Sequence, residues 1–324
     1  MKCLMKSVAA GQLLRGLSLV LLLVGLSACA GGGDSSSSSS APAPSVALTS
    51  ANAEQVTAAA LEQVSGDTSA GTIAPLSAVA TTTRTGHTTT LTELASKVTK
   101  LLVNQTSSRV SAAVVTTDPC AVSGSVTIDV AADGTSLTMT FNACEDVPGE
   151  IIDGSISVFN ISTSGTVLSY TANFDLTFSA TGQPNVVVSG GFSVSEDTAT
   201  STTTITGTSY TGTLGVETFG LFNFTFVETL GAGFTSTSAN FTLSGSFING
   251  AVLVTTSVPF EILDTAAYPY TGEMEITGAN NSQIRVIVLG DETTLGDQVQ
   301  IDVDEDGDSV FETTILTTWA ALGT

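Results

Sequence analysis

The chain has 324 residues and sets 30 acidic side chains against 8 Lys and Arg, for a formal net charge of −22 at pH 7. From Val110 onward there are 25 acids and a single base, Arg285. That balance argues against nucleic acid or an anionic membrane surface as an electrostatic partner, and it favours solubility, cations or basic partners.

Residues 1–28 read as an export signal. Lys2, Lys6 and Arg15 make a positive region, and Leu17 to Leu26 is an apolar core too short to span a bilayer. Leu26-Ser27-Ala28-Cys29 follows. This stretch resembles the lipobox of bacterial lipoproteins, whose Cys carries palmitate-type acyl chains and becomes the new N-terminus. The resemblance implies lipidation at Cys29, and Ala30 rather than Asp after it implies the outer membrane. Two or more acyl chains anchor stably, since each buried methylene contributes about 0.8 kcal/mol. Residues 29–45 contain the Gly/Ser/Pro run AGGGDSSSSSSAPAP, which cannot bury enough apolar area to fold and reads as a flexible tether.

Residues 46–110 read as a helical segment with a Thr-rich linker. In SANAEQVTAAALEQVSG, the residues Ala53, Val56, Ala60, Leu61 and Val64 recur at helical spacing, with Ser50 placed to cap the start and Gly66 just past the end. Further on, Thr90-Leu91-Thr92-Glu93 matches a capping box. Behind it Leu91, Leu94, Val98, Leu101 and Leu102 form one stripe that must be buried against something.

Residues 111–324 read as an antiparallel β domain. Leu137, Met139 and Phe141 alternate with polar residues, as do Tyr170, Ala172, Phe174, Leu176 and Phe178, and then Phe222, Phe224 and Phe226. About thirteen strands are expected from 121 to 316, separated by turn signals such as ADGT, GAG, ANNS and DEDGD. With no helical pattern between them, a meander is favoured over crossovers. A sheet of that size curls or closes. The expected fold is therefore mainly β with N-terminal helices: a large curved antiparallel meander or incomplete barrel, with the amphipathic helix of Leu91 to Leu102 packed on its apolar face. In outline this is similar to the periplasmic lipoprotein carriers and their outer-membrane receptor, an analogy of fold only. The order of lipobox, Ala-rich helix, Leu-rich helix and Cys-bracketed hairpin also resembles a group of uncharacterised bacterial lipoproteins, a resemblance that carries no activity.

Cys120 and Cys144 form an even pair in an oxidising compartment. A turn at Ala131 to Gly134 sets them opposite each other to within one or two positions. Closing a loop of about 25 residues stabilises by about 3 kcal/mol in the chain-entropy model.

Catalytic signals are sparse. The one histidine, His87, lies in the Thr-rich linker, and the sequence holds neither a G-x-S-x-G elbow nor a zinc-type cluster nor a phosphate loop. Glu273 and Glu275 sit two apart on one strand face, the pattern of an exposed strand. The expectation is no enzyme, and instead a cell-envelope binding or structural lipoprotein, partnered by the membrane through its anchor and by an envelope or extracellular protein or glycan. A carrier of an apolar ligand inside the curved sheet is the alternative. A membrane-embedded barrel fits less well, because aromatics for its girdles are few.

The stretch DVDEDGDSVFE, residues 302–312, carries six carboxylates and no base. Asp302, Asp304 and Asp306, followed by Gly307, resemble the calcium loop of EF-hands, where oxygens converge on a hard cation and Gly allows a sharp turn. The resemblance implies Ca2+ at Asp302, Asp304, Asp306 and Asp308, with Glu312 as a further ligand. It departs from the family at the twelfth position, Thr313, and strands rather than helices bracket it. The competing reading is a hairpin whose strand Gln298 to Asp304 turns its acids to water.

Overall fold

The structure is a computed structural model and describes residues 40–64, 114–290 and 297–323. The expected export signal, Cys29, His87 and the Leu91 to Leu102 stripe lie outside the described residues.

The described chain is mainly antiparallel β. Fourteen strands follow one another in a single open sheet whose spatial order is the sequence order. They are β1 (Val114–Pro119), β2 (Ser123–Val130), β3 (Leu137–Val147), β4 (Glu150–Ser164), β5 (Val167–Ala180), β6 (Val186–Asp197) and β7 (Thr202–Leu214). There follow β8 (Glu217–Leu230), β9 (Phe234–Gly245), β10 (Gly250–Leu263), β11 (Thr271–Thr277), β12 (Gln283–Leu289), β13 (Gln298–Asp304) and β14 (Thr313–Thr318). Two helices accompany them, α1 (Ala53–Val64) and a short α2 (Trp319–Leu322).

The expected thirteen strands correspond to β2 through β14. The additional one, β1, pairs with β2 from Val114↔Val130 to Pro119↔Ser125. Its sequence VVTTDP ends on Asp118-Pro119, which reads as a loop, but a terminal Pro is tolerated in an edge strand because its missing N–H breaks no inner ladder.

Alternation places the core as expected on β3 and β5, where Leu137, Met139, Phe141, Tyr170, Ala172, Phe174 and Leu176 are buried. On β8 it corrects the sequence reading. The pairing of β8 with β9 shifts register between Phe222 and Thr225, and Asn223 there takes φ 47. This bulge inserts an extra residue and reverses the faces. Phe219 and Leu221 are buried before it, Phe224 and Phe226 after it, and Phe222 falls on the opposite face. Inside, aromatic rings meet across strands, with Phe174 and Phe192 at 5.5 Å and Phe226 stacked on Phe241 at 5.6 Å.

Helix α1 buries Ala53, Val56, Ala60, Leu61 and Val64, the expected stripe, together with Thr57 and Ala59. It lies against β9, β12, β13 and α2, so helix and sheet share one core. It begins at Ala53, later than a Ser50 cap would allow. Asn52 orders the entry instead: its Oδ1 accepts from the Thr49 N–H (2.9 Å) and its Nδ2 donates to Ala47 O (3.0 Å).

Antiparallel order puts the turns at two ends. At one end lie the links β1–β2, β3–β4, β5–β6, β7–β8, β9–β10, β11–β12 and β13–β14. The N-terminal segment enters at this end. Ser45 N donates to Ala251 O (2.9 Å), and Ala251 N donates to Ser45 Oγ (3.0 Å). Val46 O then accepts from Ala279 N (2.7 Å), and Leu48 N donates to Ser282 Oγ (3.0 Å). From there α1 runs toward the far end, where α2 follows β14 and buries Trp319 completely, its ring stacked on Tyr268.

Candidate metal centre

Two places hold chemistry beyond packing, both at the end where the N-terminal segment enters. The first is the cysteine pair. Cys120 and Cys144 stand at disulfide distance with Cα atoms 5.5 Å apart. Cys120 lies in the β1–β2 turn, where its N–H donates to Gly124 O (3.2 Å). Cys144 is brought beside it by a register shift on β3 after Phe141. That close approach requires glycine at 124: φ is +74, and a Cβ there would sit 1.9 Å from the Ala143 carbonyl oxygen.

The second is the β13–β14 hairpin. Strand β13 faces its apolar residues Val299, Ile301 and Val303 into the core, as the alternation requires. Its acids do not face water, which the competing hairpin reading required: Asp302 is 2% exposed and Asp304 is fully buried. Asp302 stands opposite Arg285 on β12 and Thr314 on β14. Arg285 donates to its Oδ2 at 2.8 Å, Gln300 donates to both oxygens, and Thr314 Oγ1 donates to Oδ1 at 2.7 Å. The guanidinium in turn lies 4.5 Å from the centre of the Phe311 ring. Burial pushes the Asp302 carboxyl up, but these hydrogen bonds and the Arg285 charge outweigh it and hold the group below its ordinary value.

Asp302 is thus an ion-pair partner and leaves the ligand set that the EF-hand resemblance implied. The stretch is not without a base either, because the β12–β13 register supplies one from 17 residues away. The carboxylates that do converge are Asp304, Asp306, Asp308 and Glu312, with one oxygen of each within 4.8 Å of the others. The frame therefore moves forward by two: Asp304, Asp306 and Asp308 take the first, third and fifth places. The sixth place, where a calcium loop bends through positive φ, is then Ser309, and its φ is 70. Gly307 keeps a different task. Its φ is +80, and a Cβ there would come 2.4 Å from the Asn280 carbonyl of the β11–β12 turn.

Main-chain donors hold each carboxylate in place. Gly307 N donates to Asp304 Oδ1 (2.7 Å) and Ser309 N to Oδ2 (2.8 Å). Asp308 N donates to Asp306 Oδ1 (3.1 Å), Val310 N to Asp308 Oδ1 (2.8 Å) and Glu305 N to Glu312 Oε2 (3.1 Å). A carboxylate has about four lone-pair sites, so each retains capacity for a cation. All the donors are oxygen, which fits a hard ion such as Ca2+ and not a soft one. Asp304, Asp306, Asp308 and Glu312 would hold it, and the carbonyl of Val310 occupies the seventh place of the loop.

Glu305 points away from this cluster and accepts from Ser50 N at 2.7 Å. Hydrogen bonds from Ser50 hold its carboxyl below the ordinary value. Glu275 stands opposite Arg285 on the exposed side of β11, and Glu273 is half-buried on the same strand. Neither joins the cluster. Sequence reading missed Arg285, Gln300 and Thr314; only the cross-strand register brings them to Asp302.

No protein-family model matches this chain, nor does any curated protein or solved structure.

Proposed function

We propose that the chain is an exported, lipid-anchored protein of the cell envelope with a non-enzymatic binding or structural role, and that its C-terminal hairpin is stabilised by calcium. The observation that carries the second part is the convergence of four carboxylates, Asp304, Asp306, Asp308 and Glu312, within 4.8 Å. The first part rests on Leu26-Ser27-Ala28-Cys29 behind its short apolar core, with Cys29 as the acylated residue and the outer membrane as the site.

Packing supports a structural role over that of an apolar carrier. Among the described residues, contacting rings and branched side chains of the inner face join in one continuous core from Val46 to Leu322. The open order of the sheet supports an aqueous setting over a bilayer-spanning one, because an unpaired strand edge is costly in lipid. The outer face carries Ser and Thr in cross-strand pairs, such as Thr171 with Ser193 (3.1 Å) and Thr202 with Thr229 (3.2 Å). A protein or glycan partner would meet that hydroxyl-rich surface.

Equilibrium dialysis of the exported chain against calcium tests the cation. One site per chain, lost in Asp304→Asn/Asp306→Asn, is expected; equal binding by both chains refutes it. Fractionation with labelled palmitate tests the anchor. The natural chain should take up label and sediment with membranes, and Cys29→Ser should do neither. A natural chain without label refutes the anchor.

A further inference from the structure

We propose that the end of the sheet formed by the β7–β8, β9–β10, β11–β12 and β13–β14 turns is the surface the molecule turns toward the lipid bilayer. The proposal rests on the anchor reading and adds an orientation to it.

The argument starts from where the chain enters. Ser45 and Val46 are hydrogen-bonded to Ala251 at the start of β10, and Val46 to Ala279 in the β11–β12 turn. Ser50 is tied by its N–H to Glu305 in the β13–β14 loop. Three consecutive turns of one end thus clasp the six residues Ser45 to Ser50. Between Cys29 and that clasp lie only Ala30 to Pro44. Of these, Ala41, Pro42 and Pro44 are half-buried, and Ala30 to Ser40 before them span about 40 Å at full extension.

The opposite end is much farther away. Strand β8 runs from Glu217 to Leu230, 14 residues, and spans about 45 Å at about 3.3 Å per residue. Helix α1 carries the chain away from the clasp toward that far end, where it meets α2. Bringing the far end to the membrane would need more than the roughly 40 Å that Ala30 to Ser40 span when fully extended.

Exposed apolar residues occur at both ends, Leu230 at the far one being 57% exposed, and so do not choose between them. Val216, at the tip of the β7–β8 turn, is 92% exposed, and Val310, in the β13–β14 loop, is 60% exposed. The net charge of −22 gives no electrostatic adhesion to lipid, so the tether, and not the surface itself, sets the orientation. The partner is a lipid headgroup layer, met by the tips of these turns.

The test uses the full lipidated chain with a thiol fluorophore on Val216→Cys or, separately, on Leu230→Cys. Both residues are exposed; Val216 directly precedes β8 and Leu230 ends it. Each labelled chain is reconstituted in phosphatidylcholine/phosphatidylethanolamine vesicles containing a headgroup spin-labelled lipid, and flotation is measured first. The expected result is flotation of both, quenching of the Val216→Cys label, and a Leu230→Cys label as bright as in vesicles without quencher. Quenching at position 216 should vanish in the added Cys29→Ser background. Flotation with equal quenching at the two positions, or stronger quenching at 230, overturns the orientation and leaves the anchor standing. Failure to float overturns the anchor reading and the orientation with it.

Discussion

The two margins of the sheet are held by different means. Next to the β1 edge, the β2–β3 hairpin is fastened by the Cys120–Cys144 pair, which ties the β1–β2 turn to β3. The β13–β14 hairpin at the other edge has no covalent tie; it is held by carboxylates that collect main-chain N–H groups and by Arg285 beneath them. Edge strands have one flank without ladder bonds and open most readily. One side is therefore locked as long as the bond stays oxidised, whereas the other is held by charge, which pH and the proposed cation would alter. The difference teaches that the anionic composition is not a uniform solvated coat: at the C-terminal edge it is built into the fold.

Breaking the covalent lock should have the largest effect. Cys120→Ser/Cys144→Ser opens a loop with sequence separation 24 and should lower unfolding stability by about 3 kcal/mol. Urea melts of the two chains check this, and superimposed melts would remove the lock from the comparison. The loss should be unaffected by calcium.

Arg285→Gln attacks the other edge and should cost about 1–2 kcal/mol, since it leaves the nearly buried Asp302 carboxylate without its charge partner. The figure is kept low because the Arg285 side chain is 36% exposed and screened by solvent. The variant should also change the pH profile. The folded Asp302 carboxyl is held below its unfolded value, so its contribution is complete above about pH 3.9 and is lost as pH falls toward the lower folded value. Melts between neutral and acid pH should show a shallower acid limb for Arg285→Gln than for the natural chain. An identical slope would show that this ion pair does not hold the hairpin.

The smallest effect sharpens the contrast between α1 and the hairpin it touches. Thr57 is fully buried, and its hydroxyl has no hydrogen-bond partner among the described residues. Thr57→Val removes that polar group at nearly constant volume, so thermal melting should be unchanged or raised by the equivalent of about 0.5–1 kcal/mol. A fall of that size would mean that the hydroxyl is satisfied and that α1 docks differently.

Much of this architecture is legible in the residue pattern, for a physical reason. Period-two alternation reports which face a strand buries, and Tyr170, Phe174, Val299 and Ile301 fall as the pattern requires. The cysteine pair is legible because one short hairpin lies between its members. What the pattern does not carry is anything fixed by a neighbouring strand or a single inserted residue. The Asn223 bulge sends Phe222 to the other face, although its alternation with Phe224 is unbroken in the sequence. Asp302 looks like its fellow aspartates, and only the β12–β13 register sets it against Arg285 and so moves the calcium frame to Asp304. Strand β1 is hidden by its Asp-Pro ending, because edge placement is a property of the sheet and not of the six residues.

Hydrogen exchange of the purified chain, followed by mass spectrometry in chelator and in calcium at a hundredfold excess over Kd, tests the central claim most directly. If calcium binds only the native hairpin, its opening is disfavoured by about 2.7 kcal/mol, and amides from Val299 to Thr318 should exchange about a hundredfold more slowly. The disulfide-fastened segment Ser123 to Val147 should not change. Equal rates in both conditions, slowing spread over both hairpins, or the same slowing in Asp304→Asn/Asp306→Asn would contradict the account.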